Sequence, residues 1–159
     1  MRNKKKIIAV ASIGGHWIQL LRIVQPMEEQ YDVVYMSTHE KCRTMVDNNC
    51  FYQLPDFNRS NVWKMPFAAL KVLKVLLKER PTAIITTGAA PGLLTILGAK
   101  LFFKKTIWID SVANVKTLSG CGHIAKLFTK NIYTQWPDLA RDGIRFAGNI
   151  FGDSLEDEK

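Results

Sequence analysis

Ile7-Ile8-Ala9-Val10-Ala11-Ser12-Ile13-Gly14-Gly15-His16 is the stretch that decides the fold. A short apolar run that ends at two glycines reads as a strand buried on both faces. From His16 the spacing turns helical: Trp17, Leu20, Leu21 and Val24 share one side of a helix, and Pro26 ends or kinks it. A doubly buried strand that passes through glycine into an amphipathic helix opens a βαβ unit.

The same alternation continues outward. Strands are expected at 32–37, 51–54, 82–87, 106–110, 132–135 and 144–150, and helices at 63–79, 89–103 and 123–130. Segments 55–61 and 111–122 read as loops. The fold class is therefore α/β, a doubly wound, mostly parallel, Rossmann-like sheet with right-handed crossovers. Neither a repeat nor a linker interrupts it, so one domain is expected over 1–152, followed by an acidic tail at 153–159.

Composition bounds the function. The chain has 159 residues, 47% apolar and 23% charged, which excludes a disordered protein. The formal net charge is +8, and the last seven residues contribute −3, leaving +11 on the body. A body that basic favours anionic partners: nucleic acid, phosphorylated metabolites or an acidic membrane face. Nucleic acid is not expected, because the basic residues are dispersed and no helix-turn-helix, zinc-finger or RNP pattern is present. Cys42, Cys50 and Cys121 form no Cys-x-x-Cys pair, which argues against disulfides and structural zinc; no metal site is expected. The basic start lacks an h-region, and no stretch of about 20 apolar residues spans a bilayer. The nearest, Ala89 to Phe103, contains Pro91 and Lys100 and reads as a buried helix. A cytoplasmic location fits best.

In open α/β sheets, ligands bind at the carboxyl ends of strands, beside a topological switch point. Three loops therefore stand where chemistry is expected: Ile13–His16, Gly88–Gly92 and Asp110–Gly122. Gly14 and Gly15 let backbone N–H groups at a helix start approach a phosphate or diphosphate, although a bare tight turn would use the same glycines. His16 is placed to act as a base or a phosphate donor, or alternatively as a cap or packing residue. Gly88-Ala89-Ala90-Pro91-Gly92 repeats the small-residue theme, with Pro91 suited to a first helical turn. Asp110 could hold a sugar hydroxyl, act as a base or cap its own turn; Ser111 and Ser119 are further possible substrate contacts.

The helix after Trp63 carries Lys71, Lys74 and Lys78 within a wedge of about 60°, and leucines and valines spread over most of the rest. With Trp63, Met65, Pro66 and Phe67 before it, the segment reads either as an interfacial anchor or as a core helix with a solvated lysine edge.

The ordered set Ala11-Ser12-Ile13-Gly14-Gly15-His16, Thr86-Thr87-Gly88-Ala89-Ala90-Pro91-Gly92, Trp108-Ile109-Asp110-Ser111, Leu118-Ser119-Gly120-Cys121-Gly122 and Gln135-Trp136 resembles a known family. It is the oligosaccharide biosynthesis family that contains the membrane-recruiting subunit of two-subunit UDP-GlcNAc transferase, with PssD-like capsule and exopolysaccharide proteins as bacterial members. The resemblance runs from about Lys6 to Ile150. It implies the N-terminal, acceptor-side half of a GT-B glycosyltransferase, working as a heteromer with a small donor-binding subunit. It further implies a UDP-sugar donor held mainly by that partner, no cofactor, and a polyprenyl-diphosphate-linked saccharide as acceptor. The site would lie peripherally on the inner face of the cell membrane. By carry-over, Gly14, Gly15, His16, Gly88, Ala89 and Gly92 are the acceptor-side positions. Where relatives often carry Glu-Ser, this chain has Asp110-Ser111. The rival expectation is a non-catalytic scaffold that recruits the donor-binding subunit.

Overall fold

The computed structural model describes residues 4–152; the acidic tail expected at 153–159 lies outside them. Seven strands, β1 (Lys5–Val10), β2 (Tyr31–Ser37), β3 (Cys50–Gln53), β4 (Ala83–Thr86), β5 (Lys105–Ile109), β6 (Ile132–Thr134) and β7 (Ile144–Phe146), form one sheet. Its order is β3-β2-β1-β4-β5-β6-β7, and every neighbouring pair is parallel. The helices are α1 (Gly15–Val24), α2 (Met65–Glu79), α3 (Ala89–Leu101) and α4 (Gly120–Ala125).

Alternation along β1 explains the two layers. Ile7 and Ala9 face α1, where Trp17 stacks edge-to-face on Tyr35 (5.8 Å) and Phe51 (6.2 Å). Ile8 and Val10 face the other way, against Val72, Val75 and Leu76 of α2 and Ala99 of α3. A smaller cluster around Trp108 joins α3, α4 and β6 on that second face. The chain winds outward from β1 to β3, then returns through α2 to β4 on the other flank of β1. The switch point expected of a doubly wound sheet therefore lies between β1 and β4.

The differences from expectation are local and have causes. The fourth helix starts at Gly120 rather than His123, because the Ser119 hydroxyl caps it by accepting the Gly122 N–H at 2.9 Å. It ends at Ala125, five residues before the expected stop at 130. The last strand stops at Phe146, since Gly148 takes φ +112° and the chain turns so that the Ile150 N–H reaches Gln135 Oε1 at 3.0 Å. Three-ten turns at Gln25–Glu29 and Glu40–Met45 fill segments for which periodicity predicts nothing.

Candidate functional site

Val10 of β1 pairs with Thr86 of β4, so the chain leaves both strands side by side and enters α1 and α3 from adjacent loops. Each helix is preceded by a glycine with positive φ, Gly14 at +98° and Gly88 at +121°. Neither helix has a side-chain cap or an acidic residue in its first turn. Two sets of helix N–H groups thus stand at one sheet edge with no side chain capping them, a suitable place for anionic oxygens. Ala89, the first residue of α3, is itself left-handed at φ +62°, a strain of about 1–2 kcal/mol for a residue with a Cβ.

His16 and Thr87 tie the two loops together. The Thr87 hydroxyl donates to the His16 carbonyl at 2.6 Å, and the His16 ring nitrogen Nδ1 donates to the Thr87 carbonyl at 2.8 Å. The imidazole lies over Gly88 so closely that a Cβ there would sit 3.1 Å from Cε1 and Nδ1. The glycines divide by role. Gly14 and Gly15 are exposed with open space around them. Gly92 is buried, and a Cβ on it would meet Thr86 Oγ1 at 2.0 Å, so its smallness lets α3 close onto β4.

The loop after β5 is organised differently. Asp110 is buried, and four donors converge on its carboxylate: Trp108 Nε1 (2.9 Å), Asn114 Nδ2 (3.0 Å), Ser119 N (2.8 Å) and Ser119 Oγ (2.6 Å). A Cβ on Gly122 would approach Asp110 Oδ1 to 2.9 Å, which is why that position is glycine. Burial, and then the nearby Asp110 carboxylate, push the Cys121 thiol up from its ordinary range. Ser111 Oγ accepts only the local Ala113 N–H, at 3.3 Å. Ser119 is tied to Asp110 and to the helix cap, Asp110 to its own loop, and His16 to β4; the structure does not bring these three onto one shared group.

Sequence reasoning missed Gln19. Its amide donates to the Asp110 carbonyl (3.0 Å) and accepts the Val112 N–H (3.1 Å), linking α1 to the loop after β5. On a helical wheel it stands opposite Trp17, Leu21 and Val24, so the pattern marks it as outward-facing. Only the tertiary fold, 91 residues further along the chain, covers it. Trp136, whose Nε1 holds the Val112 carbonyl at 2.8 Å, completes that tether.

On the far face, α2 turns Ala68, Val72, Val75 and Leu76 inward and leaves Phe67, Leu70, Lys71, Lys74, Leu77 and Lys78 outward. Trp63 is 68% exposed and packs edge-to-face on Phe67, with the Lys64 ammonium over its ring. The outward arc is thus apolar and basic together. A second cluster continues it, with Leu101, Phe103 and Leu127 exposed among Lys100, Lys104, Lys105, Lys126 and Lys130. An apolar groove of about 370 Å³ between α2 and α3 connects the two. Between residues 59 and 137 stand twelve Lys or Arg but only two acids, Glu79 and Asp110. Asp110 is internal, and Glu79 is held below the usual carboxylate range by Lys6 (2.7 Å) and by the Tyr52 hydroxyl. Among the described residues no helix is long and apolar enough to cross a membrane.

No known family profile matches the chain, and no curated protein matches it in sequence. Solved structures do match its fold. MurG from Acinetobacter baumannii superposes with a TM-score of 0.76 at 14% identity, over 90% of this chain and 45% of that one. UDP-N-acetylglucosamine 2-epimerase from Rickettsia bellii gives 0.70 at 12% identity, over 97% of this chain and 47% of the other. A glycosyltransferase from Rickettsia africae gives 0.64 at 13% identity, over 92% and 43%. The chain spans less than half the length of each. Its fold is therefore the parallel, Rossmann-like α/β domain expected from the sequence, of the size and kind found in one half of a GT-B glycosyltransferase.

Proposed function

We propose that this chain is the acceptor-binding, membrane-associated subunit of a heteromeric glycosyltransferase in polysaccharide biosynthesis. It works with a small donor-binding partner that holds the UDP-sugar, and GlcNAc or another hexose moves to a polyprenyl-diphosphate-linked saccharide. The observation that carries the reading is the β1/β4 switch point, where the N–H groups of α1 and α3, with no side chain capping them, flank a half-buried His16. The N–H groups offer a seat for a diphosphate, and His16 stands beside it as the candidate base or diphosphate contact. Likeness of fold to MurG and a second glycosyltransferase supports the class of chemistry.

The test is transfer from a radiolabelled UDP-sugar to a polyprenyl-diphosphate saccharide by the chain reconstituted with its partner. His16→Ala should lower turnover about 100-fold or more while the complex still forms. Full turnover would favour the scaffold reading, which draws on the internal commitment of Asp110. Epimerisation of UDP-GlcNAc by the isolated chain would instead favour a free-standing enzyme like the second structural neighbour.

The α2 arc and the Phe103–Leu127 cluster are the proposed membrane-facing surface, on the inner face of the cell membrane. Each nearby Lys adds roughly 1 kcal/mol of attraction to anionic lipid. Lys71, Lys74 and Lys78 changed together to Glu should abolish flotation with phosphatidylserine-containing liposomes. Unchanged flotation would remove α2 from the account.

A further inference from the structure

The two roles left open for His16 make opposite demands on its ring. A base needs a lone pair directed at the substrate, whereas a phosphate contact needs an N–H there. The hydrogen bond to Thr87 decides between them. His16 Nδ1 lies 2.8 Å from the Thr87 backbone oxygen, and a peptide carbonyl can only accept. The proton of that bond is therefore on Nδ1, and in the neutral ring Nε2 carries the lone pair. Nε2 has no partner among the described residues, and it is not among the buried atoms left unpaired, so solvent reaches it.

We infer that the Thr87 carbonyl holds His16 as the Nδ1–H tautomer, so that Nε2 accepts the proton of a sugar hydroxyl and is not a donor to the diphosphate. The inference rests on the acceptor-binding reading for the identity of the hydroxyl, but not for the tautomer. In the step it implies, the acceptor oxygen bonds to the anomeric carbon of the UDP-sugar as its O–H bond breaks. The proton passes to Nε2, the anomeric C–O bond to phosphate breaks, and the electron pair leaves with UDP. The imidazolium then returns the proton to water. Phosphate recognition falls to the N–H groups of α1 and α3, which are permanent donors.

Thr87 and Gly88 are positioning residues in this scheme. The Thr87 hydroxyl fixes the His16 backbone through its 2.6 Å bond, and its carbonyl fixes the ring. Gly88 leaves the space in which the ring lies, because a Cβ would be trapped between the imidazole (3.1 Å) and Trp108 Cζ2 (3.6 Å). Moving the ring off Gly88 lengthens the bond that selects the tautomer.

The test is nitrogen NMR of the ¹⁵N-labelled full-length chain in mildly alkaline buffer, with His16→Ala used to assign the ring signals. The expected spectrum shows Nδ1 protonated and Nε2 unprotonated, and inorganic pyrophosphate leaves Nε2 unprotonated. An Nε2–H tautomer, or pyrophosphate that saturably protonates Nε2, would overturn the inference. Gly88→Ala should yield a mixture of tautomers and Thr87→Ser should not; an unchanged tautomer in Gly88→Ala removes Gly88 as a positioning residue. Because the spectrum needs neither partner nor turnover, it stands or falls apart from the transferase reading. In the reconstituted complex, His16→Gln places an amide near the Nε2 position, where it can donate but cannot take a proton. Turnover should fall about 100-fold or more; retention within tenfold would identify a phosphate donor and sink the proposal.

Discussion

Two loop systems leave neighbouring strands of one sheet edge and treat their polar groups in opposite ways. After β5, Asp110 draws in an indole, an amide, a hydroxyl and a backbone N–H, so the loop is knitted to itself. After β1 and β4, two helices start without side-chain caps, Ala89 is held left-handed, and one imidazole nitrogen is left open to solvent. Satisfied buried polar groups belong to architecture, whereas strained backbone beside donors with no side-chain cap is where binding is found. The difference is what singles out the switch point as the proposed site, with the β5 loop tied beside it through Gln19 and Trp136.

The largest expected effect breaks this contrast if it fails. Asp110→Ala would strand the buried Trp108 N–H and three further donors, and should lower unfolding stability by about 3 kcal/mol or more in urea titration. His16→Ala should change stability by less than about 1 kcal/mol while removing turnover. If both variants lost similar stability, the two loops would be the same kind of structure and the assignment of the open one would collapse.

How much of this is legible in the sequence follows from the range of the forces involved. β1, α1, β4 and α3 are visible because their patterns are local: a doubly buried run, a glycine, a helical stripe. Their meeting at the switch point is not visible, because strand order depends on which flank of β1 the crossover through α2 returns to. The role of Asp110 is only partly visible: its donors are all close in sequence, but a carboxylate at a strand end reads equally as a turn cap, a base or a sugar contact. Ser119 reads equally as a substrate contact. Gly92 illustrates the same limit. Its place in a small-residue loop suggests contact with a phosphate, whereas the observed neighbour is Thr86 of the preceding strand. The exposed Phe103 cluster escapes periodicity because it is assembled from a helix end, a turn and the residues after α4.

Glycine substitutions sharpen the comparison at intermediate size. Gly92→Ala puts a methyl where Thr86 Oγ1 already lies, 2.0 Å away, and should cost about 1–3 kcal/mol of stability. Gly15→Ala meets nothing within 4 Å at the first position of α1, so its stability should change by less than about 0.5 kcal/mol. Any loss of binding by Gly15→Ala, read as a raised KM for the proposed acceptor, then belongs to the ligand. If instead Gly92→Ala were neutral and Gly15→Ala unfolded the chain, the division between packing and binding glycines would be reversed.

The smallest effect separates two serines of the same loop. Ser119 donates to Asp110 and accepts the Gly122 N–H, so it is both a member of the carboxylate network and the cap of α4. Its removal in Ser119→Ala should cost about 1–2 kcal/mol, because a helix cap and a bond to the buried carboxylate are lost together. The Ser111 hydroxyl accepts only the Ala113 N–H, at 3.3 Å and near the surface, and Ser111→Ala should stay within about 0.5 kcal/mol of the parent. Both are measured by thermal unfolding, and turnover of the complex is measured beside it. A Ser111→Ala variant of native stability that loses turnover would show that the β5 loop also reaches the substrate. In that case the internal satisfaction of Asp110 describes one part of that loop, and the open region extends one strand further along the edge.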